Sequence, residues 1–122
     1  MDYKQFVHGL MKPGEKILET LTPEKAEILH MGIGVAGEAG ELLGAVKNYT
    51  IYNKPLDRVN IVEELGDLEF FMEGLRYKLN ITREETLESN VAKLSVRYKN
   101  KVYTDQEAIL RADKMEEKFV NQ

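Results

Sequence analysis

Between Pro23 and Val46 the apolar positions recur at helical spacing: at about 100° per residue, Met31, Val35, Leu42 and Val46 fall on one face. Thr22 is placed to cap this first long helix, with Pro23 at its first position, and the pattern runs to about Tyr49. After the loop "IYNKPLD", Asp57 is placed to cap a second long helix, to about Leu79, on which Ile61, Leu65, Leu68, Met72 and Leu75 repeat the device. Asn80 ends it. Thr82, with Glu85 three residues on, opens a capping-box pattern for a third helix to about Asn100, striped by Leu87, Val91, Leu94 and Tyr98. Shorter helices are predicted over residues 2 to 10, just after "KPGEK", and after a cap at Asp105. Nothing alternates in the manner of a strand, and Pro13, Pro23 and Pro55 each fall where a helix starts or stops. The chain reads as an all-α helical bundle. One domain over 1–122 is expected, with an N-terminal extension (1–21), a core (22–103) and a C-terminal helix (104–122).

Two interruptions of this pattern carry the chemistry. Glu38 falls inside the first apolar stripe and Glu41 at its edge; Glu64 and Asp67 flank the second stripe, while Glu63 turns further toward solvent. A carboxylate facing a core must be neutralised, paired or bound to a metal. Taken singly, either pair reads as a solvated helix face. Together, on two helices that pack, four oxygen donors converge, and hard divalent cations prefer such ligands. The first pair is also embedded in Gly34, Gly37, Gly40 and Gly44, each interior glycine costing a helix roughly 1 kcal/mol against alanine. Close approach of a ligand or of a neighbouring helix would explain them. On the third helix Asn90, Lys93, Arg97 and Lys101 step along one line beside the apolar stripe. They form either a basic solvent face or a donor rail for phosphate.

Composition narrows the choice. Among 122 residues, 43% hydrophobic and 31% charged, a folded protein is expected. A net charge of -4 gives no basic footprint for a nucleic-acid polymer. The absence of cysteine removes disulfides, thiolate metal sites and cysteine nucleophiles. No apolar run is long enough for a membrane span and "MDYKQFVHGLMK" has no signal-peptide core, so a cytoplasmic location and no membrane partner are expected. Two motifs mislead. "GIGVAG" matches a dinucleotide fingerprint, but the preceding "PEKAEILHM" is in helical register where a strand is required. Glu27 and His30 form one E-x-x-H where a di-iron bundle needs two. Eight residues before Glu38, about 12 Å along a helix, His30 cannot share its metal; it reads as packed or substrate-proximal, and His8 as a surface residue.

The segments "HMGIGVAGEAGELLGAVK", "EELGDLEFF" and "NVAKLSVRY" resemble the all-α nucleoside triphosphate pyrophosphatases of the MazG type, relatives of the dimeric dUTPases and phosphoribosyl-ATP pyrophosphatases. The resemblance runs from about Thr22 to Tyr103 and implies a MazG-type bundle. It also implies Glu38, Glu41, Glu64 and Asp67 as Mg²⁺ ligands, with Mn²⁺ a substitute, and Asn90, Lys93, Arg97 and Tyr98 on the substrate side. The activity it implies is hydrolysis of a nucleoside triphosphate to monophosphate and pyrophosphate. Glu41 is the expected carboxylate that orients or deprotonates the attacking water. Lys99 stands after the R-Y pair where the family often continues with proline, so the C-terminal segment, with Arg111, is where it departs. Two other readings stand beside this one: a dUTPase-like or phosphoribosyl-ATP hydrolase of the same superfamily, and a non-catalytic helical module for protein binding. Apolar residues off the main stripes, such as Phe70, together with the family's habit, lead us to expect a homodimer or homotetramer.

Overall fold

The computed structural model describes residues 2–115; six helices lie wholly within them, and a further helical segment begins at 112. The chain forms two compact units, Met1–Asn80 and Ile81–Gln122. The first holds α1 (Tyr3–Leu10), α2 (Gly14–Thr20), α3 (Pro23–Thr50) and α4 (Arg58–Leu79); the second holds α5 (Arg83–Arg97) and α6 (Asp105–Leu110). No strand occurs among the described residues, as the apolar periodicity requires.

Local chemistry sets the boundaries. Thr22, Asp57 and Thr82 each accept a backbone N–H at the start of α3, α4 and α5, leaving fewer orphan donors in the first turn. Asn80 closes α4 in the left-handed conformation with φ 57°, which asparagine tolerates better than most residues. Two expectations need correction. The third long helix ends at Arg97 rather than near Asn100, because Tyr98 leaves helical geometry (φ -118°, ψ 87°) and Lys101 turns left-handed. Lys101 therefore falls off the line of Asn90, Lys93 and Arg97. The cap of α6 is Thr104, whose hydroxyl accepts from the Glu107 N–H; Asp105 is the first helical residue. Arg111 breaks the chain after α6 at φ 51° before helix resumes over 112–115, and the end of the expected C-terminal helix lies outside the described residues.

In the first unit α3 and α4 pack as an antiparallel hairpin. Its register is visible in three contacts: the Phe71 ring lies on Gly34, Met31 Sδ lies on Gly74, and Lys78 Nζ meets Glu27 Oε2 at 2.7 Å. A Cβ at Gly34 or Gly74 would overlap those side chains, so both glycines are explained by helix packing. Gly37, Gly40 and Gly44 are not, since a Cβ there meets nothing within 4 Å. The expected stripes turn inward only in part: Met31, Val35, Leu42, Ile61, Leu68, Met72 and Leu75 are half-buried, whereas Val46 and Leu65 are exposed, as are Leu87 and Val91 on α5. Yet no apolar side chain among the described residues is fully buried, and Phe70 remains 66% exposed.

Candidate functional site

Glu38 and Glu41 stand one turn apart on α3, and Glu64 and Asp67 one turn apart on α4, so each pair occupies one helix face. The hairpin register brings the faces together. Glu38, Glu41 and Glu64 each place a carboxylate oxygen within 4.8 Å of the others, a spacing one cation can bridge. Asp67 falls outside this trio and is exposed, though its charge still acts on Glu64. Glu64 Oε2 is shielded from solvent and accepts no hydrogen bond among the described residues. Its carboxyl is pushed above the usual range first by desolvation, then by the charges of Glu41, Glu38 and Asp67. Three oxygen ligands, one of them orphaned and desolvated, suit a hard divalent cation that restores the missing partner.

In the second unit Asn90 and Tyr98 line a cavity of about 360 Å³ together with Leu94, Ser95 and Tyr103. The rings of Tyr98 and Tyr103 lie 5.7 Å apart at 40°. The other two rail residues go elsewhere. Lys93 is exposed on α5 and does not line the cavity. Arg97 is tied to Asp113, with Nε 3.0 Å from Oδ1 and Nη2 3.5 Å from Oδ2, and both side chains are largely shielded. Hydrogen bonding between them holds the Asp113 carboxyl below its usual range. The guanidinium expected to meet substrate is thus engaged with the segment after α6. Sequence reasoning missed this partner, because no periodicity links residues sixteen apart across a turn.

Two further pairs were missed. Arg76, the only buried cation among the described residues, is bound by Glu73 Oε2 through Nε and Nη2 at 3.1 and 2.8 Å. Lys78 crosses the hairpin to Glu27, beside His30, which stays exposed and sits edge-on to Phe71 with centroids 6.3 Å apart. The Glu27 contact follows from the register that the structure sets, in which residue numbers of the antiparallel hairpin run in opposite directions: 34 with 71, 31 with 74, 27 with 78. His8 is exposed in the last turn of α1, as expected. No helix among the described residues is long and apolar enough to cross a membrane. No protein-family model, curated protein or solved structure matches the chain.

Proposed function

We propose that the chain is a Mg²⁺-dependent pyrophosphohydrolase that converts a nucleoside or deoxynucleoside triphosphate to its monophosphate and pyrophosphate. The observation that carries this reading is the convergence of Glu38, Glu41 and Glu64 around an oxygen of Glu64 without a partner. The sequence resemblance supplies the substrate class. Glu38 and Glu64, half-buried, would hold the ion, with Asp67 completing the acidic field on α4. When bound, Mg²⁺ offsets phosphate charge and lowers the pKa of water in the site; Mn²⁺, also an oxygen-seeking ion, would substitute. Glu41 is the exposed member of the trio, and we assign it to orienting the attacking water and taking its proton. Asn90 and Tyr98 are assigned to the substrate through their shared cavity. Lys93 is assigned to phosphate contact in solution. Arg97 joins it only if substrate displaces Asp113.

A second copy of the chain is part of the proposal. With no fully buried apolar side chain among the described residues, and with Ile33, Leu43 and Phe70 at 59 to 66% exposure, a lone chain leaves much of its apolar surface in water. A homodimer or homotetramer covers it. The test of function is pyrophosphate release from the eight common ribo- and deoxyribonucleoside triphosphates, with and without Mg²⁺. Metal-dependent release lost in Glu38→Gln supports the hydrolase. No release from any triphosphate, with no metal-dependent nucleotide binding by calorimetry, would leave the protein-binding module as the better reading.

A further inference from the structure

On the side of α3 turned away from α4, Leu29, Gly32, Ala36, Gly40 and Leu43 fall within one arc of about 80°, roughly opposite the contacts made by Glu27, Met31 and Gly34. Leu29 and Leu43 are 51% and 59% exposed, and Ile33, at the border of the arc, is 60% exposed. The acidic residues of α3, Glu24, Glu27, Glu38 and Glu41, all fall outside this arc. In a chain of net charge -4, two copies can bring such faces together without opposing carboxylates.

Side-chain size along this face has a centre. Ala36 stands in the middle, with Gly32 and Gly40 four residues to either side, Leu29 and Leu43 seven residues out, and Lys25 and Lys47 beyond them. Along the axis each glycine is about 6 Å from Ala36 and each leucine about 10 Å. Two helices that cross at an angle are nearest at the crossing point and diverge on both sides. Small residues at the centre let the backbones approach closely, and leucines fill the widening gap. Within the chain itself the two glycines have no such use. A Cβ at Gly32 or Gly40 meets nothing within 4 Å, yet each glycine weakens the helix relative to alanine.

We propose that a second copy docks on this face, the two α3 helices crossing antiparallel about a two-fold axis at Ala36. In that register Ala36 meets Ala36 of the partner subunit, Gly32 meets the partner's Gly40, and Leu29 meets the partner's Leu43. An isologous contact presents the same patch from both sides, which accounts for like residues at equal distances from one centre; an unrelated partner gives no reason for that symmetry. The crossing runs along about 21 Å of a helix about 10 to 12 Å wide and covers roughly 500 Å² per copy. The total, about 1,000 Å², reaches the lower bound of a specific interface and stays below the standard size, so the pair should form reversibly at micromolar concentration. Glu38 and Glu41 point away from the crossing, which therefore covers neither carboxylate site. The inference rests on the assembly put forward above and not on hydrolysis.

The chain has no cysteine, so single introduced thiols report the register. Full-length Ala36→Cys is oxidised by dioxygen with copper phenanthroline, and Leu29→Cys and Leu43→Cys are oxidised singly and as a mixture. Ala36→Cys should give a covalent dimer on a denaturing gel, because a residue on the axis faces its own copy. Leu29→Cys and Leu43→Cys alone should not, since each thiol lies about 21 Å from its counterpart, beyond the reach of a disulfide. Their mixture should give the mixed dimer. Gly40→Leu should raise the dissociation constant measured by sedimentation at least about tenfold, with helicity retained, because its side chain meets nothing in its own chain. Gly40→Ala, a single methyl opposite a bare glycine, should be tolerated. A dimer or tetramer mass without cross-linking in Ala36→Cys, or with Leu29→Cys alone cross-linking as fast as the mixture, overturns this face and leaves the assembly standing. A single-chain mass for the wild type overturns both. The expected cross-linking pattern in a protein that turns over no triphosphate supports the face and counts against the hydrolase alone.

Discussion

At Glu64, burial and three neighbouring carboxylates all favour the proton-bound form. The folded state therefore holds that proton more tightly than the unfolded chain, whose carboxyl titrates near the ordinary value. The sign of the linkage follows: stability of the metal-free protein is fully present below the ordinary carboxylate pKa and is lost as pH rises through the raised folded value. Glu64→Gln should then raise the metal-free melting temperature at neutral pH and flatten its fall above pH 4.5, the unperturbed value. Melting curves in chelator across that range check this, and an unchanged or lowered neutral melting temperature would count against the strained carboxylate. Asp113 has the opposite sign. Its carboxyl is held below 3.8 by Arg97, so its contribution is present above that pH and lost as acid protonates it. Asp113→Asn should make the second unit less stable at neutral pH and less sensitive to acid, read by hydrogen exchange over α5 and α6. If Arg97 is also a phosphate ligand, the same variant should bind triphosphate more tightly.

Among the elements, α3 and α4 were the most legible. Apolar spacing and the caps Thr22, Asp57 and Asn80 are local properties of the chain, and they place the two carboxylate pairs on helix faces before any packing is known. The hairpin register was less legible, because it depends on Phe71 finding Gly34 and Met31 finding Gly74, contacts 37 and 43 residues apart by subtraction. That register is what draws Glu38, Glu41 and Glu64 together and leaves Asp67 outside them. The end of α5 was misjudged because the polar line through Lys101 continues in sequence after the backbone has left the helix at Tyr98. The glycines divide along the same boundary and give a prediction. Gly34→Ala should loosen the hairpin, since its Cβ needs the space of the Phe71 ring; overpacking of this kind costs about 1 to 3 kcal/mol. Gly40→Ala meets nothing and should stabilise α3 by about 0.5 to 1 kcal/mol. Urea unfolding of both variants distinguishes them, and equal effects would mean that the Gly34 contact does not hold the hairpin.

For the whole molecule, the feature needing explanation is apolar surface without cover. Leu29, Ile33, Leu43, Val62 and Phe70 are each about half exposed or more on the two longest helices. Each is worth roughly 1.5 to 3 kcal/mol when fully buried, so pairing of chains is the direct way to stabilise a hairpin of this kind. Light scattering at micromolar concentration should give two or four times 14.0 kDa, and Phe70→Glu should shift the mass toward one chain. A single-chain mass for the wild type would contradict the assembly. The central claim is that Glu38, Glu41 and Glu64 form a metal-dependent hydrolytic centre, and the measurement that bears on it most directly is pyrophosphate release from the triphosphate panel by wild type and Glu38→Gln in Mg²⁺. Loss of a metal ligand should exceed the 10- to 100-fold typical of outer-shell partners, so a drop of more than about 100-fold is expected, with helicity retained. Turnover in Glu38→Gln within about twofold of wild type, against the tenfold that 1.36 kcal/mol represents, would contradict it.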